Sequence, residues 1–185
     1  MSWKPSSVAN PPNKMRTLIL IPTETEAAPL RAACPDAPVR IAGVGMAAAA
    51  AATARIIAEE HPDRLILAGI AGASDRSVAV CEVVAERIAE LPGKYAVRYA
   101  ADFIPAGLRT VESNTTNRTG VAASGTQIEN MEGAAFLAVC RAFGVPGAEV
   151  RAVSNYTDDP RSAWRIEESA EKLAKTIIRI LSDYE

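Results

Sequence analysis

The feature that most limits how this chain can fold is a short run of apolar residues with no polar alternation, Arg16 to Ile21 (RTLILI). A strand with one face in water alternates polar and apolar residues. A run without alternation fits a strand covered on both faces, as in a parallel sheet between layers of helices. The same character returns at Leu65–Gly69, which continues into Ile70-Ala71-Gly72, and at Val150–Ser154. Between these runs the sequence predicts helices at Glu24–Ala33, at the alanine-rich Met46–Glu60 closed by His61-Pro62, and from about Ile128 to Phe143. Val39–Ala42 reads as a further strand, followed by a tight turn at Gly43-Val44-Gly45. Strands alternating with helices through short turns predict a three-layer α/β/α domain with a mixed, mainly parallel central sheet.

The middle of the chain is less patterned. Val78, Val80, Val83 and Val84 suggest a strand that grades into a helix through Glu86–Leu91, and Tyr95–Phe103 and Leu108–Val111 suggest two more strands. Asn114–Thr126 reads as loop. A final helix is expected to begin near Asp159-Pro160, with Asp as N-cap and Pro in the first turn. Its apolar face would be Trp164, Ala170, Leu173, Ala174, Ile177, Ile178 and Leu181. Residues 1–14 hold three prolines, three serines and two asparagines and are expected to be a disordered leader, leaving 15–185 as one domain.

Composition excludes several functions. A net charge of -2 gives no basic footprint for nucleic acid. No run reaches the roughly 18 apolar residues of a membrane span. Three widely spaced cysteines, Cys34, Cys81 and Cys140, form neither a metal cluster nor a disulfide framework, and they suit a reducing cytoplasm. The single histidine, His61, rules out any mechanism needing two and reads as a surface turn residue.

Four places could carry chemistry. Gly43-Val44-Gly45-Met46-Ala47-Ala48 has the dinucleotide-binding form G-x-G-x-x-A, but the next strand ends Ala68-Gly69-Ile70-Ala71 without the acid that would hold a ribose, so a tight turn with close helix packing fits better. Glu24 and Glu26 follow the first strand. They suit a ligand site beyond its carboxyl end, and equally the first turn of a helix, whose dipole favours anions. Glu132 is a carboxylate in an apolar run and must be paired, exposed at a cleft or functional. Asn155, beside Ser154 at a strand tip, offers two N–H donors and one acceptor, or serves as a turn residue. Cys140 reads as core, and Asp158 and Asp159 as caps of the final helix.

Taken in order, these pieces resemble the nucleoside phosphorylase and nucleosidase superfamily: an early strand leading to Glu24-Thr25-Glu26, Gly43-Val44-Gly45-Met46-Ala47 at the second strand, Leu67–Gly72 at the third, Asn130-Met131-Glu132-Gly133, and Arg151–Asn155. The branch it looks most like is futalosine hydrolase, a relative of methylthioadenosine/S-adenosylhomocysteine nucleosidase. The middle departs from the pattern: it is short, and Cys81-Glu82-Val83-Val84 stands where the family has Gly-Asp before Val-Val.

The resemblance implies hydrolysis of an N-ribosidic bond through an oxocarbenium-like transition state. Glu26 would be the general base for water and Asn155 would hold the departing purine. Glu132 would clamp the ribose, with Met131 packed on its face. Ile70, Ala71, Gly72 and Ser154 would bind substrate, and Arg151 would be structural near the site. It implies no cofactor and no metal, a purine nucleoside as partner, and a homodimer or higher homo-oligomer. Adenine-releasing relatives carry Asp where this chain has Asn155. The amide therefore favours hypoxanthine, and with it futalosine of the menaquinone pathway. An adenine-releasing nucleosidase and a nucleoside-binding relative without activity stand as the alternatives.

Overall fold

Alternation of side chains along the apolar strands decides the architecture. In the computed structural model, which describes residues 15–118 and 125–184, strand β1 (Thr17–Ile21) is buried at every position. Leu18 and Leu20 enter one core, shared with Ile56 and Ile57 of helix α2 (Met46–Glu60) and with Phe136, Leu137 and Cys140 of helix α3 (Gly133–Phe143). Ile19 and Ile21 enter the opposite core, against Ala27 and Leu30 of α1 (Glu24–Ala33) and Leu173, Ile177 and Ile180 of α4 (Ile166–Asp183). Strand β3 (Arg64–Ala73) repeats the division, with Leu65 and Leu67 on one face and Ile66 and Ala68 on the other. Each such side chain contributes roughly 1.5–3 kcal/mol on burial, and two helical layers are needed to cover both faces.

The remaining strands are β2 (Val39–Ile41), β4 (Val83–Leu91), β5 (Val97–Ala100), β6 (Arg109–Thr115), β7 (Ile128–Asn130) and β8 (Gly147–Tyr156). They pair in the order β2-β1-β3-β7-β6-β4-β5, with β8 bridging β3 and β4. Pairings β3–β7, β7–β6, β6–β4, β4–β8 and β8–β3 therefore close a ring. Pairs β1–β2, β1–β3, β3–β8, β4–β6 and β6–β7 are parallel, while β3–β7, β4–β5 and β4–β8 are antiparallel. The sheet is thus mixed and mainly parallel, as the sequence predicts. No helix among the described residues is long and apolar enough to cross a membrane.

Five expectations are corrected. The helix expected from Ile128 starts at Gly133: residues 128–130 pair as β7, and Asn130 Oδ1 accepts from the N–H groups of Glu132 (3.0 Å) and Gly133 (2.8 Å), which fixes where the helix can begin. The last helix starts at Ile166, not at Asp159-Pro160. Asp159 instead accepts from Tyr156 N–H (2.8 Å) to close the turn after β8, Asp158 pairs with Arg76, and a 3-10 turn at Arg161–Ala163 intervenes. Glu86–Leu91 is strand rather than helix, because β4 has β5, β6 and β8 as partners. The strand expected at Tyr95–Phe103 shortens to β5, and β6 extends to Thr115 into the expected loop. The expected leader, 1–14, and loop residues 119–124 lie outside the described residues.

Candidate active site

Open α/β sheets collect ligands beyond the carboxyl ends of their strands, and a cleft of about 330 Å³ lies there. Glu26 reaches it from just past β1, Ile70, Ala71 and Gly72 from the end of β3, and Ser154 and Asn155 from the end of β8. Met131 and Glu132 enter between β7 and α3. All eight residues singled out as catalytic or substrate-binding line this one cleft.

Glu26 is buried in the first turn of α1, where the helix dipole favours its charge. Its Oε1 accepts from Ile70 N–H (2.9 Å) and its Oε2 from the Thr23 hydroxyl (2.6 Å). Thr23 caps the helix by accepting from Glu26 N–H (3.2 Å). Each carboxylate oxygen therefore spends one lone pair on the protein and keeps another for a water.

Glu132 is buried at the N-terminal end of α3. Gly45 N–H donates to its Oε1 (2.9 Å) and Arg151 Nη1 to its Oε2 (3.2 Å). The glycine turn before α2 thus orients a carboxylate at the cleft. Gly43, at φ +79°, has no room for a side chain, since a Cβ there would lie 2.8 Å from Ala48 Cβ. This is the tight turn with close helix packing.

Arg151 lies behind the cleft rather than on it, wholly buried. Nε meets Glu86 (3.1 Å) and Nη2 meets Glu149 (3.1 Å), in addition to Glu132 at Nη1. Burial works against the guanidinium charge, but Glu86, Glu149 and Glu132 outweigh it and hold the group above its ordinary range. Burial raises the Glu86 carboxyl, opposed by Arg151, by the Ser113 hydroxyl and by Asn130 Nδ2, 3.0 Å from both oxygens.

Asn155 is 2% exposed, and both of its polar atoms are engaged. The Ser154 hydroxyl donates to Oδ1 (2.7 Å), and Nδ2 donates one hydrogen to Tyr156 O (2.7 Å). One N–H remains to offer a ligand, not the two an unconstrained amide would have.

Three cleft residues carried no signal in the sequence, Thr116, Arg118 and Arg161, while Val44 and Asn130 are read only as parts of motifs. Trp164, expected on the apolar face of the last helix, precedes that helix and lines the cleft, with the Arg161 guanidinium 4.2 Å from its ring centre. Among the described residues no group of three or more His, Cys, Asp or Glu is placed to hold a metal ion.

The fold and part of the sequence have known counterparts. Residues 109–184 match the family model of the Phosphorylase superfamily. Futalosine hydrolase of Thermus thermophilus is 45% identical over 60 residues, covering 32% of this chain and 27% of that protein. Among solved structures, a futalosine hydrolase mutant of Helicobacter pylori superposes with TM-score 0.82 at 15% identity, covering 91% of this chain and 99% of the other. The 5'-methylthioadenosine/S-adenosylhomocysteine nucleosidase of Neisseria meningitidis, in complex with methylthio-immucillin-A, gives 0.78 at 20% identity, covering 91% and 100%. The resemblance read in the sequence is borne out, and at these identities the structural likeness is one of fold.

Proposed function

We propose that this cleft hydrolyses the N-ribosidic bond of purine nucleosides, with futalosine, releasing hypoxanthine, as the favoured substrate. One observation carries the reading: Glu26, Glu132 and Asn155, from three distant parts of the chain, line a single cleft. Glu26 takes a proton from water, whose oxygen bonds to C1′ of the ribose. The C1′–N9 bond breaks and the purine leaves with the electron pair, as an anion that takes its proton from solvent water. Glu132, held in place by Arg151, binds the ribose hydroxyls and favours the positive charge that grows on the sugar, an interaction stronger in the transition state than in the ground state. Met131 packs on the ribose. The remaining N–H of Asn155 donates to the departing purine, and because an amide is not an acid it suits a 6-oxopurine such as hypoxanthine.

The match to a futalosine hydrolase over residues of this chain and the likeness in fold to nucleosidases support the reaction class. Three free thiols fit a reducing compartment. A homodimer or higher homo-oligomer belongs to this reading as well.

The test is incubation with futalosine, inosine and methylthioadenosine, following free base by chromatography. Hypoxanthine from futalosine is expected, at a rate that added phosphate does not change. Adenine from methylthioadenosine as the fastest product would favour the adenine-releasing alternative. Hypoxanthine binding without turnover of any substrate would favour a nucleoside-binding protein without activity.

A further inference from the structure

Behind the cleft, one guanidinium meets three acids. Arg151, Glu86 and Glu149 are wholly buried and Glu132 nearly so. If all three carboxylates were ionised, this interior would hold two charges beyond what Arg151 neutralises. Buried charge without a partner is costly, and a carboxyl group avoids the cost by keeping its proton.

The hydrogen bonds single out which acid does so. Glu132 has Arg151 and Gly45 N–H as donors. Glu86 has Arg151 Nε, the Ser113 hydroxyl and the Asn130 amide. Among the described residues, Glu149 has only Arg151 Nη2, at Oε2, while its buried Oε1 has no partner. Glu149 also sits directly opposite Glu86 in the β4–β8 ladder. Burial and the charge of Glu86 push its carboxyl well above the usual carboxylate range, against the pull of Arg151. The acid is wedged under the first residue of α3: a Cβ on Gly133 would lie 2.5 Å from Glu149 Oε2.

We propose that Glu149 is a positioning residue for Glu132, holding Arg151 from the far side as a neutral acid so that the guanidinium stays aimed at the carboxylate in the cleft. The kinetic part rests on the nucleosidase reading; the proton does not. The charged and titratable groups around Glu149 are Arg151 on its own strand, Glu86 on β4, Glu132 and Cys140 at α3, and Asp102, which accepts from Gly147 N–H. Its partner on β3 is Leu67, which is uncharged.

A carboxyl raised in the folded state adds stability that is fully present below its unfolded pKa and is lost as pH rises toward the folded one. Urea unfolding of the wild type and Glu149→Gln from pH 5.5 to 9 reads this directly. The folding constant of the wild type should fall relative to Glu149→Gln by up to about tenfold per pH unit, the signature of one proton. Parallel curves would overturn the protonated acid.

The second readout is base release by Glu149→Gln and Glu149→Leu. The leucine variant should lose about tenfold more kcat/KM than the glutamine variant, with the loss appearing in KM, since only glutamine can still hold the guanidinium. Equal losses at every pH would overturn the positioning role. A wild type that releases no base from any nucleoside would overturn the function and with it the kinetic role, while the unfolding curves would still decide the proton.

Discussion

Two acids of the cleft, Glu26 and Glu132, are held in different ways. Glu26 is fixed by neutral donors from its own neighbourhood, a capping threonine and the Ile70 N–H at the end of an adjacent strand. Glu132 has one neutral donor, Gly45 N–H, and is fixed on its other oxygen by a charge, through an arginine that is itself locked among two further acids. The difference separates two kinds of work. A carboxylate held by neutral donors can take a proton from water without breaking an ion pair. Glu132, with Arg151 on one oxygen and Gly45 N–H on the other, is committed to holding rather than to proton transfer. The first fits a general base and the second a clamp for a sugar that becomes cationic.

Breaking the charged half should have the largest effect. Arg151→Met leaves Glu86, Glu132 and Glu149 without their cation and should cost about 3–5 kcal/mol of stability by urea unfolding. A variant as stable as the wild type would mean that the three acids tolerate its absence, and the contrast between the two halves would fail. Glu26→Gln keeps an acceptor for the Ile70 N–H but removes the proposed base. It should lower kcat roughly 10²–10⁴-fold with little change in the unfolding midpoint. Glu132→Gln weakens a charge-assisted hydrogen bond to Arg151 and should cost about 1.5–3 kcal/mol in kcat/KM, with KM for the nucleoside rising as kcat falls. A loss confined to kcat would argue against a ribose clamp. Asn155→Asp, the smallest of these, should raise the ratio of adenine to hypoxanthine release about tenfold, the worth of one hydrogen bond to the base. An unchanged ratio would remove Asn155 from base recognition.

Helices α1 and α2 run over the residues their sequences predict, because a capping threonine, an alanine-rich run and a terminal turn at His61 are local signals. Strand β4 was not legible in that way. Ala85, Glu86, Arg87, Ala89 and Glu90 are acceptable helix formers, and three strands from elsewhere in the chain make them a ladder. Asp159-Pro160 has the chemistry of a helix start, yet Asp159 is taken by the Tyr156 N–H. This moves the helix on and leaves Trp164 at the cleft. The positions of Glu26, Glu132 and Asn155 could be read because motif residues at strand ends converge in this architecture. Glu149 could have been read by the same reasoning as Glu132, being an acid in an apolar strand two residues from an arginine. Arg118, Arg161 and Thr116 reach the cleft only through the path of connecting segments, for which the sequence offers no period or cap.

The most direct measurement is turnover of futalosine in ¹⁸O-labelled water, with and without phosphate, by the wild type and Glu26→Gln. Free hypoxanthine and one ¹⁸O in the ribosyl product, independent of phosphate and nearly lost in the variant, are the predicted result. A ribosyl phosphate product, or a variant that cleaves at the wild-type rate, would contradict Glu26-activated water as the chemistry of this cleft.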